Sequence, residues 1–155
     1  MVVRLKVQPF LAEYARRRFE RDELTGALLI PRSFDLWHCL WQVMQKPPRG
    51  GRVTVADANL AVRLPWRRRQ EGEVGKDPAY WNYISPEGQR QVEQQLRRLY
   101  YYDLHQWMLH PRQGRHLQRD LIRQFMQRWG TNLDHEDALL KNWQRYRKNI
   151  AFNKV

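Results

Sequence analysis

A lone cysteine, Cys39, leaves this 155-residue chain without a possible internal disulfide. That agrees with a reducing compartment and leaves stability to packing. Long apolar runs are lacking too. Ala27–Ile30 is among the most continuous, far below the roughly 20 residues that a membrane-spanning helix needs. The opening segment carries Arg4, Lys6, Glu13 and Arg16, Arg17 and Arg18, so it lacks the apolar core and small-residue cleavage site of a secretory signal. A cytoplasmic location with no membrane contact is the expectation. Also missing are a Gly-rich phosphate loop, a nucleophile elbow and paired carboxylates at a recognisable catalytic spacing. Nothing nominates a catalytic residue or a cofactor, and a non-enzyme is expected.

Acidic residues are scarce, 16 against 28 Lys and Arg, and the net charge is +12. Such an excess repels itself unless a polyanion or an acidic partner takes up the field. Lysine is scarce within that set: six of the 28 cations are Lys and 22 are Arg. The planar guanidinium suits phosphate oxygens and guanine edges. An Arg-rich genome would produce the same bias, so net charge carries more of the inference than the choice of cation.

What is present is ample apolar area, with seven Trp, seven Tyr and five Phe in a chain that is 42% hydrophobic. That suffices for a real core. Val2 to Val7 alternates apolar and charged side chains and predicts a half-buried strand. Pro9 opens a helix to Glu20 with Leu11, Ala15 and Phe19 on one face, and Ala27 to Ile30 predicts a second strand. Ser33 is the expected N-cap of a helix to Lys46, stopped by Pro47-Pro48. Its wide apolar face holds Phe34, Trp37, Trp41 and Met44 beside Leu36, Leu40 and Val43. It should be central and buried, with Cys39 an inert thiol within that face. Arg52 to Ala56 and Asn59 to Leu64 read as a hairpin, and residues 65–78 as a mobile basic loop.

Beyond the loop the period becomes helical. Ser85-Pro86 starts a helix to His110, Leu117 to Trp129 forms the next with Gly130 as its stop, and Asp134 is the expected cap of the last, to Asn149. The fold class expected is α+β: a small mixed sheet packed on a buried helix, then a three-helix region with a helix-turn-helix-like pair. Residues 1–78 form the first region and 79–155 the second, with nucleic-acid binding expected in the latter's basic helices.

Those helices carry the functional reading. In the last one Leu139, Trp143, Tyr146 and Ile150 form a core stripe, while Lys141, Arg145 and Lys148 repeat two residues out of phase. At 3.6 residues per turn that offset is about 200°, so the cations point away from the core. Arg119 and Arg123 stand opposite Leu121 and Phe125 in the preceding helix. Asp134, Glu136 and Asp137 occupy the first turn of the last helix, which makes its C-terminal half the positive end. Asn142 and Gln144 add amides able to reach base edges. Arg67, Arg68 and Arg69 could serve as a flexible arm to phosphates or a minor groove. The favoured partner is nucleic acid, chiefly duplex DNA. The alternative is an adaptor whose basic face meets an acidic protein. A single charged stripe is ordinarily just a solvated surface; two matched stripes and the global charge favour the polyanion.

Two further groups compete for attention. His105, His110 and His116 with Asp103 suggest a metal, and Asp103, His105 and His110 a metal-dependent nuclease, but the spacings of five and six do not share a helix face. Tyr80, Trp81 and Tyr83, and Tyr100, Tyr101 and Tyr102, could stack on unpaired bases. Consecutive aromatics diverge on a helix, so part of each trio belongs in the core; Tyr101 and Trp81 are the members to test for exposure. The run Asp137-Ala138-Leu139-Leu140-Lys141-Asn142-Trp143-Gln144-Arg145-Tyr146-Arg147, with Ser33-Phe34-Asp35-Leu36-Trp37-His38 and Asn82-Tyr83-Ile84-Ser85, resembles uncharacterised proteins of Mu-like prophages and mobile elements in Bacteroidales. The resemblance implies a mobile-element setting in a bacterial cytoplasm, where a regulator would be at home, and assigns no role to any residue.

Overall fold

Four short strands build the sheet of the N-terminal part. In the computed structural model, which describes residues 1–52, 55–73 and 75–153, β1 (Val2–Leu5) is followed by α1 (Pro9–Arg18), β2 (Glu20–Arg21), β3 (Leu28–Leu29), α2 (Asp35–Val43) and β4 (Leu60–Arg63). Three helices follow: α3 (Pro86–Leu109), α4 (Gln118–Trp129) and α5 (Glu136–Asn153), the last entered through a 3-10 turn at Leu133–His135. This is the α+β architecture that the change of period predicts. No described helix is long and apolar enough to cross a membrane.

The sheet order is β1-β4-β3-β2, antiparallel except for the parallel β3–β4 pair. Val3 faces Val62 and Leu5 faces Leu60, and all four are buried. Arg4 and Arg63 alternate with them and are exposed, as one-sided burial requires. Beyond β1 the pairing is prolonged by a side chain. Asn59 accepts from the Val7 N–H at 2.9 Å and donates to the Val7 carbonyl at 2.7 Å. With both edges of β4 occupied, Asn59 to Leu64 has no free edge for the expected hairpin with Arg52 to Ala56. Val53 and Thr54 of that second run lie outside the described residues.

The first two helices are shorter than periodicity suggests, while α5 runs past the expected Asn149 to Asn153. Glu20 leaves α1 for β2 because Phe19 turns extended and packs edge-on against Phe34, 5.3 Å between centroids. Ser33 is not the cap of α2; Phe34 is, and no side chain caps it. The C-terminal end of α2 arrives before the prolines, since Gln45 pairs with Tyr83 through 2.8 and 3.0 Å backbone hydrogen bonds. Ser85 does cap α3, accepting the Gly88 N–H at 3.1 Å. Gly88 allows close helix packing: a Cβ there would stand 3.1 Å from the Val43 Cβ and 3.0 Å from Ile84.

The contacts divide the chain into Met1–Arg97 and Arg98–Val155, a division inside α3. In the second unit the core comprises Tyr100, Leu104 and Met108 of α3, Leu121, Ile122, Phe125 and Met126 of α4, and Leu139 and Trp143 of α5. Tyr100 meets Phe125 edge-on at 5.3 Å, and the Trp107 indole donates to the Leu121 carbonyl at 2.9 Å. Gly130 adopts the left-handed conformation, φ 71°, that ends α4. Asp134 does not cap α5. It lies in the 3-10 turn, where its own N–H is capped by the Asn132 side chain at 3.2 Å.

Candidate nucleic-acid interface

The amphipathic period of α5 orders its surface. Leu139 and Trp143 are buried, Tyr146 and Ile150 half-buried, and Lys141, Gln144, Arg145, Arg147 and Lys148 exposed. None of those four cations makes a hydrogen bond or ion pair within the second unit among the described residues. A surface hollow of about 300 Å³ runs beside two of them, lined by Gln118 of α4 and by Gln144, Arg147, Lys148 and Ala151. It brings Gln144 and Lys148 of the expected site together with Arg147, whose place beside Lys148 was visible in sequence.

The other half of the expected surface is occupied internally. Arg123 Nε donates to Glu136 Oε1 at 2.6 Å, and Arg119 lies 3.5 Å from both Glu136 and Asp137. The Glu136 carboxylate holds the Arg123 guanidinium in its charged form and raises its pKa. The acids in the first turn of α5 therefore do more than suit its dipole: they neutralise α4. The sequence offered both signs of charge, but no local pattern pairs residue 123 with residue 136.

Asn142 is likewise engaged. Its Oδ1 lies 2.6 Å from His105 Nε2, while the His105 ring stacks on Tyr146 at 3.8 Å with 8° between planes. Burial pushes the His105 pKa down, against a smaller upward pull from the Asn142 hydrogen bond. Gln144 remains the amide on the open face. His116 bonds to the Gln113 carbonyl at 2.9 Å. Among the described residues no three His, Cys, Asp or Glu side chains gather as metal ligands.

In the first unit, the loop expected to be mobile is fastened at two points. Arg67 pairs with Glu73 at 2.8 Å and lies over the Trp41 ring at 4.6 Å. Lys76 donates to the Trp41 and Gln42 carbonyls at 2.7 and 3.1 Å, capping the end of α2. Arg69 Nε donates to the Glu73 carbonyl at 3.0 Å. Of the predicted arm, Arg68 projects as an exposed cation while Arg67 is a half-buried anchor. Each aromatic trio does place a member in the core, Tyr83 and Tyr100; Tyr80 and Tyr102 are exposed, and Trp81 and Tyr101, the members singled out for exposure, are half-buried.

No family model, curated protein or solved structure matches the chain.

Proposed function

We propose that this protein is a non-enzymatic nucleic-acid-binding protein that takes the phosphates of duplex DNA on the C-terminal half of α5. One observation carries the reading: Lys141, Arg145, Arg147 and Lys148 are all exposed, and no carboxylate is paired with any of them among the described residues. Lys141, Arg145 and Lys148 share one helix face with Arg147 to its side, and all four can meet a polyanion at no cost in broken ion pairs. Gln144 and Gln118 border the hollow and supply the hydrogen-bonding groups that could meet a base edge or a sugar. Arg119 and Arg123 play a secondary part because Glu136 holds them. The reading needs no cofactor, and the mobile-element resemblance suits a regulator in a bacterial cytoplasm.

A mobility shift with random duplex across a salt series tests it. Four phosphate contacts should give a log–log slope of about −3 to −4. Arg145→Glu/Lys148→Glu should weaken binding about a hundredfold and flatten the slope by roughly two. A parent protein with a flat slope, or a charge-reversed variant binding as tightly as the parent, would overturn the proposal. Tight binding to an acidic polypeptide with none to DNA would favour the adaptor reading.

A further inference from the structure

The first unit holds a second, differently built cluster of cations. Trp37 and Trp41 stack in parallel, 6.2 Å between centroids and 2° between planes. Arg32 lies over Trp37 at 5.4 Å and Arg67 over Trp41 at 4.6 Å. Lys76 stands 5.8 Å from Trp41 and 5.4 Å from Trp81, and Lys46 approaches Trp81 at 5.6 Å. Arg52 is hydrogen-bonded to Asn82, beside Trp81. Within this chain of rings and cations Glu73 is the one carboxylate paired with a described member, and its partner is Arg67.

Cations packed this way repel one another. The Lys76 ammonium is disfavoured first by burial and then by the Arg67 charge, and its pKa is lowered. The indole faces offset part of that cost. Lys46, exposed, and Lys76, half-buried, share one ring, and neither is ion-paired with a carboxylate among the described residues. An anion arriving here would relieve an existing repulsion.

Two large aromatic side chains emerge next to the anchors. Trp66 precedes Arg67 and is 70% exposed; Tyr80 precedes Trp81 and is 68% exposed. Arg67 and Lys76 both rest on the Trp41 ring. Trp66 is thus carried next to a fastened residue, which lowers the backbone ordering cost of stacking. Arg68 adds an exposed cation between the fastened residues Arg67 and Arg69.

We propose that Trp66 and Tyr80 stack on unpaired bases while Lys46, Arg68 and Lys76 meet the adjoining phosphates, making this face a single-stranded nucleic-acid site separate from α5. Aromatic platforms alternating with cations are what a flexible strand requires, since every base has a π-face and every step a phosphate. Duplex DNA cannot use the platform, because its bases are already stacked. An acidic peptide would satisfy the cations and leave both exposed rings without a matching partner.

The full-length protein can be titrated with a labelled oligothymidylate of about 10 nucleotides and, separately, with a short duplex. Trp66→Ala/Tyr80→Ala should lose about tenfold or more in oligothymidylate affinity and keep its duplex affinity. Trp66→Phe/Tyr80→Phe, which retains the rings, should recover most of the loss. Arg145→Glu/Lys148→Glu should show the reverse selectivity, so failure of this site and failure of the α5 reading remain distinguishable. The inference is overturned if the parent does not bind oligothymidylate, if the double-alanine variant binds it as tightly as the parent or loses both ligands equally, or if polyglutamate binds where oligothymidylate does not.

Discussion

Arg123 of α4 and Glu136 of α5 are joined by a 2.6 Å charge-assisted hydrogen bond, and the second oxygen of the same carboxylate lies 3.5 Å from Arg119. One half-buried acid thus sets how much of the α4 charge a polyanion can use. Glu136→Gln should free Arg123 and leave Arg119 with Asp137 alone. The expected outcome is a rise of about three- to tenfold in duplex affinity at low salt, with a slope steeper by about one, read from the same salt series. An unchanged slope would place the DNA away from α4.

Tyr100 and Thr131 share a hydrogen bond between their hydroxyls at 2.7 Å, with Tyr100 fully buried and Thr131 nearly so. Burial raises the phenol pKa despite the opposing effect of Thr131. Tyr100→Phe or Thr131→Val, each removing this buried hydrogen bond, should cost about 1–3 kcal/mol in denaturant unfolding. The double variant should cost less than the sum, because the two single changes lose the same bond.

His105 should make stability fall in mild acid. Its pKa in the folded protein lies below the ordinary value near 6.5, chiefly through burial. The unfolded chain therefore takes up the proton more readily. The contribution is fully present above pH 6.5 and is lost as pH falls through that value toward the lower folded pKa. Unfolding midpoints compared at about pH 7.5 and 5.5 should differ less in His105→Gln than in the parent.

Cys39 should be inert while the protein is folded. Its side chain belongs to the buried face of α2, and burial pushes the thiol pKa up, so both access and thiolate fraction are low. Labelling with a thiol reagent at neutral pH should be slow in the native protein and rapid in denaturant. Fast native labelling would mean that α2 opens.

Much of the fold was legible because its signals are local. Gly130 ends α4 where a left-handed residue was expected, and Ser85 caps α3 with Pro86 behind it. The alternation around Val3 and Leu5 reported a one-sided strand. Pairing was less legible. The run Asn59 to Leu64 is a strand in either arrangement, and only the sheet shows that β1 and β3 occupy both its edges. Ser33 and Asp134 have the right chemistry for caps, yet the chain enters α2 at Phe34 and approaches α5 through a turn capped by Asn132.

The sequence by itself determined the positive charge, the α+β order of elements and the row of Lys141, Arg145 and Lys148 opposite a packed stripe, because period and composition are properties of neighbouring residues. Tertiary structure decided which cations remain unpaired. Glu136 reaches Arg123 across thirteen residues, and Trp41 gathers Arg67 and Lys76 from positions 26 and 35 residues further along. Coulombic and cation–π interactions depend on distance in space, so the same count of charges yields neutralised arginines on α4, unpaired cations on α5 and a crowded aromatic cluster beside α2.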